Sequence, residues 1–466
     1  VPIDFTFLVT NTPTLSLPLL AATVPTHHCE ILDSFVVDIS VRKFLKKVKK
    51  FDVICINAHS SIGSANVEAT VRLIKNFYPD KPIILGGHHA TLYHRKWLMK
   101  GVDIVVRKEG EKTFPEVIEK LENGLPVDNV HGISFKDGTD IKVNPDRKFL
   151  KNLDESPIPK WELLDKRRYY LPLPNKGFST SMETSRGCTY QCSFCAASRM
   201  WNNTQRFKSA ERVIEEFIRL DELGFKNIWI IDDNYGINHK RDKKVYSYLI
   251  KEKLNFNWMC FIRQDTIVKN PSLIALASKS GLRVCMVGFE TVDQQLLNDF
   301  GKRVQMQSYK KTLKILRKNN IFCSSFLIVG YLNESVEQTK KLFKEAANLG
   351  DYPIISIFEP RYGTPDYETA KSQDLLLDDM FYHNTQKTVK GKEHILSEYR
   401  KFYLKYLLSP KRISSIFFGP KIRSIPYRTL YANLIKNFLK INMRKLRNPF
   451  RYVQIKNVGF ELEGIK

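Results

Sequence analysis

Residues 180–195 read Thr180-Ser181-Met182-Glu183-Thr184-Ser185-Arg186-Gly187-Cys188-Thr189-Tyr190-Gln191-Cys192-Ser193-Phe194-Cys195. A short strand-forming run, 180–183, leads into a loop whose three cysteines stand at a C-x3-C-x2-C spacing. Thiolates are natural ligands of iron-sulfur clusters, and three of them leave one iron of a four-iron cluster without a protein ligand. That iron can take the amino and carboxylate groups of a small molecule. The competing reading is a structural zinc site, which wants a fourth Cys or His in a second knuckle. None follows nearby, and His239 is too distant in sequence to complete one.

Downstream of the loop, strand and helix patterns alternate. Helices are expected at 210–223, 240–253, 271–280, 308–319 and 335–349, and strands at 227–231, 257–261, 283–289, 321–329 and 353–358. With 180–183 this makes six β/α units in a row, the pattern of a partial (β/α)6 barrel of TIM type over 179–370. Upstream, strands at 5–9, 28–32, 53–57, 82–85 and 104–106, with helices at 67–77 and 113–121, read as a Rossmann-like parallel sheet over 1–125. Between them, 126–178 holds a β-like piece at 132–143 and then Pro157, Pro159, Pro172 and Pro174, which mark a linker. Residues 371–466 read as a basic helical region.

The 466 residues are 43% hydrophobic and 12% aromatic, enough for two cores and too apolar for a disordered chain. The net charge of +25 points to an anionic partner, and no Asp or Glu occurs between Arg400 and Phe460. Five of the eight cysteines are scattered, unlike a disulfide framework, so a reducing, cytoplasmic setting is expected. The uncharged stretch 5–28 carries Pro13, Pro18 and Pro25, which favour a strand, a turn and a short helix over a membrane span.

On these residues the chain resembles the radical S-adenosylmethionine (SAM) superfamily over about 179–368. The resemblance implies a 4Fe-4S cluster on Cys188, Cys192 and Cys195, and reductive cleavage of SAM to a 5′-deoxyadenosyl radical. It places Phe194 near the adenine, Asp232 and Asp233 at the SAM amino group, Arg263 at the carboxylate, Glu290 at the ribose, and Gly330 where the backbone passes the adenine. Read without the resemblance, Asp232 and Asp233 serve equally well as helix N-caps.

Ile83-Ile84-Leu85-Gly86-Gly87-His88-His89, followed by Asp103-Ile104-Val105-Val106-Arg107-Lys108-Glu109-Gly110-Glu111-Lys112-Thr113-Phe114, resembles the cobalamin-binding domain that precedes the barrel in one radical SAM subgroup. The likeness implies cobalamin contacts from Ser60, Ser61, Gly86, Gly87, His88, Glu109, Gly110 and Glu111. The Asp-x-His-x-x-Gly motif of cobalamin mutases is absent from Thr10-Asn11-Thr12-Pro13-Thr14-Leu15, which leaves His59, His88 and His89 as substitute candidates. A cofactor-free domain that only shapes the cleft is the alternative.

The resulting expectation is a cobalamin-dependent methyltransferase acting on an unactivated carbon, with a second reading as a cyclase, coupling enzyme or oxidoreductase on a lipid or tetrapyrrole. Methylthiotransferases share the loop, but Cys29 and Cys55 cannot supply their second cluster, and nucleic acid is not the expected partner. Expected partners are a small-molecule, lipid or peptide substrate and a reductant such as ferredoxin or flavodoxin. In the tail, Leu430, Leu434, Ile435, Phe438, Leu439 and Leu446 share one helical face, with Lys436, Lys440, Arg444 and Arg447 mostly on another. Peripheral membrane contact is expected from that pattern, with packing on the barrel as the alternative.

Overall fold

The computed structural model describes residues 12–34, 36–37, 39–174, 177–377, 381, 389–392, 394–410 and 412–414. The strand expected at 5–9 and the tail helix around Leu430 to Leu446 lie outside these residues.

In the N-terminal domain, strands β1 (Ile54–Asn57), β2 (Ile83–Gly86) and β3 (Ile104–Val106) run parallel. Their side chains alternate between faces, as the two-residue strand period requires. Ile83, Leu85 and Val105 join Val71, Ile74 and Trp97 in one core, while Ile84, Ile104 and Val106 join Phe114 and Val117 in another. Apolar faces on both sides are what a parallel sheet between helices needs. Here the helices Ser64–Phe77 and Thr113–Glu122 contribute to the two covers.

Strands β4 (Ile133–Asp137) and β5 (Asp140–Val143) form an antiparallel hairpin added to β3. The first sheet therefore continues to Val143, inside the stretch expected as linker, because Ile133 and Phe135 bury into the core of Phe114 and Val117. Residues 28–32, expected as a strand, have no ladder partner among the described residues. Side-chain contacts hold this stretch instead: His28 stacks on Phe51 with centroids 5.8 Å apart, and Glu30 pairs with Lys47 of helix Val41–Val48.

The second domain begins with β6 (Phe178–Met182), then the short antiparallel pair β7 (Ser185–Gly187) and β8 (Gln205–Phe207). It continues with β9 (Phe225–Ile230), β10 (Asn257–Ile262), β11 (Leu282–Glu290), β12 (Phe322–Val329) and β13 (Tyr352–Ile357). The sheet order is β6-β9-β10-β11-β12-β13 and every pairing is parallel, the half-barrel that six consecutive β/α units produce. Cys260 and Ile262 face Tyr246, Ile274 and Ala277 of the outer helices. Alternation turns Phe261 to the concave side, where its ring meets Trp229 at 5.8 Å and Phe326 at 5.5 Å.

The helices start where the side chains predict. Ser209 accepts the N–H of Arg212 at the start of helix Ala210–Glu222, and Ser335 with Gln338 forms a capping box before Val336–Ala346. A half-barrel leaves an open edge at β13, which needs cover. Helix Ile395–Leu407 provides it: Tyr403 Oη donates to Pro353 O at 2.9 Å and accepts from Ile355 N at 3.0 Å. Among the described residues no helix is long and apolar enough to cross a membrane.

Candidate active site at the barrel mouth

The cysteine loop grows out of the β7–β8 pair. Gly187, the last residue of β7, has φ +92°, and a Cβ there would run into the Thr204 carbonyl oxygen and the Trp201 side chain. Only glycine fits this backbone. Beyond it, Cys195 N donates to Cys192 O at 3.1 Å, and Ser193 N donates to Phe300 O at 3.0 Å. These bonds shape the turn and fasten it to the loop after helix Gln294–Asp299. Burial pushes the Cys188 thiol up to about 11, the backbone N–H of Tyr190 opposing it. Burial also raises Cys192, against the pull of Lys302 and Arg263.

At the strand ends, the two adjacent aspartates have different surroundings. Asp232 is buried and accepts three hydrogen bonds of 2.6 Å, from Thr184 N, Thr184 Oγ1 and Ser185 Oγ. Both its oxygens therefore serve the segment just before the cysteine loop. Asp233 is reached by solvent although protein crowds it, accepts the Gly187 N–H at 2.9 Å, and is bonded by the Trp201 indole. Burial raises its carboxyl above the usual carboxylate range, with the backbone bond from Gly187 opposing.

Arg263 follows β10. Its guanidinium lies 3.5 Å from the Tyr190 ring centre, donates to Asp265 Oδ1 at 3.0 Å and to Lys302 O at 2.9 Å. Glu290 ends β11 at φ +66°, after a register shift between Gly288 and Glu290, and pairs with the buried Lys302. A glutamate held left-handed after a bulge is a strained position, and such strain gathers at functional sites. Gly330 has φ +84°, and its N–H and that of Tyr331 donate to Glu334 Oε2 at 2.6 and 3.0 Å. Phe194 packs edge-on to Phe300 at 5.3 Å.

On the N-terminal domain, Ser60 and His59 are exposed after β1, and Ser61 Oγ donates to Glu359 Oε1 at 3.2 Å, in the loop after β13. His88 begins the helix His88–Leu92; its Nε2 is buried without a hydrogen-bond partner. Burial, then neighbouring His59, Arg361 and His89, lowers His88 to about 4; His59, reached by solvent although protein crowds it, is lowered by that crowding and then by Arg361. Gly87, at φ +103°, brings its backbone within a Cβ's reach of Ala58 O, a close approach the fold itself demands. Gly86 carries no such constraint, and Gly110 packs against Leu20. The carboxylates of Glu109 and Glu111, expected at the cofactor, pair with arginines of the β7–β8 pair.

The radical SAM superfamily profile matches residues 182–346, and the B12-binding-domain profile matches 8–118. An uncharacterised methyltransferase of Pyrococcus horikoshii is 30% identical over 415 residues, 86% of this chain and 89% of the relative. This chain belongs to the radical SAM superfamily. The hopanoid C-3 methylase of Methylococcus capsulatus is 28% identical over 69% of this radical SAM chain and 61% of its own length. The fold is shared with the radical SAM methyltransferase TsrM of Kitasatospora setae, solved with cobalamin and a [4Fe-4S] cluster, at TM-score 0.65 and 14% identity over 78% of this chain and 76% of that one.

As a radical SAM enzyme with a B12-binding domain, the chain uses a 4Fe-4S cluster, SAM and cobalamin. Its residues fit all three. Among the described residues no three His, Cys, Asp or Glu side chains close on a point as they would around a single ion. A cube-shaped cluster takes its thiolates at separate corners. Lys302 and Arg263 beside Cys192 offset the charge those thiolates bring. The open carboxylate of Asp233 suits an ammonium group, and the orphaned His88 nitrogen suits a ligand that brings its own hydrogen-bonding group. Sequence reading missed Lys302 and Trp201, which carry no motif and meet the site only through tertiary contacts, and gave no role to Tyr190 inside the loop, whose ring Arg263 covers.

A pH dependence follows from His88. Its folded value lies below the ordinary 6.5, so the unfolded chain binds more protons between about 6.5 and about 4. Stability should be fully present above pH 6.5 and fall on acidification towards 4, by about 3 kcal/mol at most from this group. Urea titrations at pH 7 and pH 5 should show a smaller loss for His88→Asn than for the parent protein. An equal loss would remove His88 as the cause.

Proposed function

We propose that this enzyme is a cobalamin-dependent C-methyltransferase acting on an unactivated carbon. The observation that carries the reading is the Ser61–Glu359 bond: it joins the loop after β1 of the B12-binding domain to the loop after β13, at the barrel mouth. The cysteine loop and the ends of β9 to β12 open on the same mouth, where barrel enzymes collect their reactive groups.

Bound there, the cluster and SAM supply a hydrogen-abstracting radical, and cobalamin supplies the methyl group. The chain's own residues bind and orient. Cys188, Cys192 and Cys195 hold the cluster; Asp233 receives the SAM amino group, Arg263 its carboxylate and Glu290 its ribose, with Phe194 and Gly330 beside the adenine. Asp232 acts one step back, holding Thr184 and Ser185 in place. Ser60, His59 and His88 meet the cobalamin from the N-terminal domain. Trp229, Phe261 and Phe326 give the concave wall an apolar stretch suited to a substrate whose reacting carbon lacks a neighbouring polar group. That substrate is a lipid, peptide or tetrapyrrole, and the basic tail supports a reading in which it is met at an anionic membrane surface.

The test is cofactor stoichiometry and label transfer. Anaerobically reconstituted protein should bind about one cobalamin per chain, in keeping with a single B12-binding domain. With SAM deuterated at the methyl group, product should carry the label. Cobalamin far below one per chain, or turnover without label, would end the methyltransferase reading and leave cyclisation or oxidation.

A further inference from the structure

The base of the cysteine loop carries a like-charge conflict that the N-terminal domain resolves. Arg186 on β7 and Arg206 on β8 are cross-strand partners, so two guanidinium groups stand opposite each other in a two-stranded sheet. Directly opposed like charges weaken a strand pair. Glu109, from the segment after β3, accepts a hydrogen bond from Arg186 Nη1 at 2.8 Å, and the same Oε1 makes an ion-pair contact, without hydrogen-bond geometry, to Arg206 Nη2 at 2.9 Å. Glu111 takes Arg186 Nη2 at 2.5 Å, and Glu183, from the barrel itself, takes Arg186 Nε at 2.7 Å. The side chains of Arg186, Glu109 and Glu111 are 6%, 8% and 6% exposed, so water cannot replace a missing partner.

The contacts continue to the reacting groups. Arg206 lies over the rings of Phe149 and Trp201 at 4.8 and 5.4 Å, and Trp201 bonds Asp233, which in turn holds Gly187 N beside Cys188. Glu109 also accepts the N–H of Leu150 at 2.8 Å, which ties in the connector between the domains.

We propose that the N-terminal domain is a structural part of the iron-sulfur site: Glu109 and Glu111 are positioning residues that clamp Arg186 and Arg206, and through them set the cysteine loop and Asp233. The N-terminal domain and the cysteine loop are thereby joined in one buried ion network, whatever group the enzyme finally transfers. Two carboxylates of Arg186's three come from the other domain. A barrel that lost them would keep an uncompensated buried charge next to its cluster loop, the costly way to break such a pair.

The experiment uses the full chain with Glu109→Gln and Glu111→Gln together, read first without any cofactor. Alkylation of each cysteine is followed by mass spectrometry in the iron-free protein. Cys192 is buried in the loop, while Cys260, Cys285 and Cys323 are buried in the barrel core and report on global folding. The expected result is at least about tenfold faster labelling of Cys192, with the three core cysteines still protected. After reconstitution, the variant should bind less iron, and the electron paramagnetic resonance signal of its reduced cluster should no longer shift sharply on adding SAM. Unchanged Cys192 labelling would overturn the proposal. If the double variant exposes the core cysteines as well, Glu111→Gln alone is read by the same criterion, and no change at Cys192 there overturns it equally.

Discussion

Cys192→Ala should remove both iron and SAM cleavage while leaving the protein folded. Cys192 is the middle cysteine of the loop proposed to hold the cluster and is 7% exposed, and its neighbour Ser193 donates its N–H to Phe300 O. Alanine loses little more than one buried sulfur, about 1 kcal/mol of stability by the worth of a buried methylene-sized group. With two thiolates left on the loop, a cluster loses one of its three protein corners, and the site that receives SAM goes with it. Iron content after anaerobic reconstitution and deoxyadenosine formation with dithionite should both fall to background. Cys260→Ala is the matched control, since that thiol faces the outer helices and not the mouth. It should lower stability by a similar amount and keep its iron. Normal iron and deoxyadenosine in Cys192→Ala would refute the assignment of the cluster.

Gly187→Ala should be nearly as damaging through a different cause. The residue sits at φ +92°, where an L side chain costs about 1–2 kcal/mol before any contact is counted. The added Cβ would also meet the Thr204 carbonyl oxygen, a backbone atom that cannot swing aside, and crowd Trp201. To relieve it, β7 must move away from β8, and with it the Gly187 N–H that Asp233 accepts. A total of about 3 kcal/mol or more is expected, of the size seen when strain and lost hydrogen bonds combine. Thermal unfolding should drop, and iron incorporation should fall even in protein that remains folded. Gly124→Ala provides the contrast: φ there is +63° with nothing within 4 Å of the new Cβ, so only the backbone term applies. Equal effects at the two positions would show that the clash at Gly187 is absorbed.

Much of the architecture was legible because parallel β/α units repeat one local pattern. Each expected barrel strand and helix is present with ends shifted by a few residues, since strand alternation and helical spacing are properties of neighbouring residues. The misplaced strand at 28–32 shows the limit. Its residues favour an extended backbone, but a strand also needs a partner edge, and this segment is held by His28 on Phe51 and Glu30 on Lys47. The hairpin of β4 and β5 was visible as β-like; that it extends the first sheet depended on β3 offering an edge.

The site divides in the same way. The three cysteines were readable as a proposed ligand set because all three lie within eight residues, so spacing alone brings them together. Asp232 and Asp233 were indistinguishable as adjacent acids, and only the fold gives one to Thr184 and Ser185 and leaves the other open at the mouth. Glu109 and Glu111 were visible as acids near a glycine, yet their partner Arg186 lies 77 residues from Glu109. Lys302 gave no signal until β11 bent at its bulge and brought Glu290 to it.

By itself, then, the sequence determined the cluster loop, the order of β/α units and the presence of two domains, because each is encoded by residues a few positions apart. Only the tertiary structure decided which acids stay open at the barrel mouth and which are locked in ion pairs. That choice is made by docking one domain on the other, where burial makes an unpaired charge too costly to leave and selects partners from distant parts of the chain.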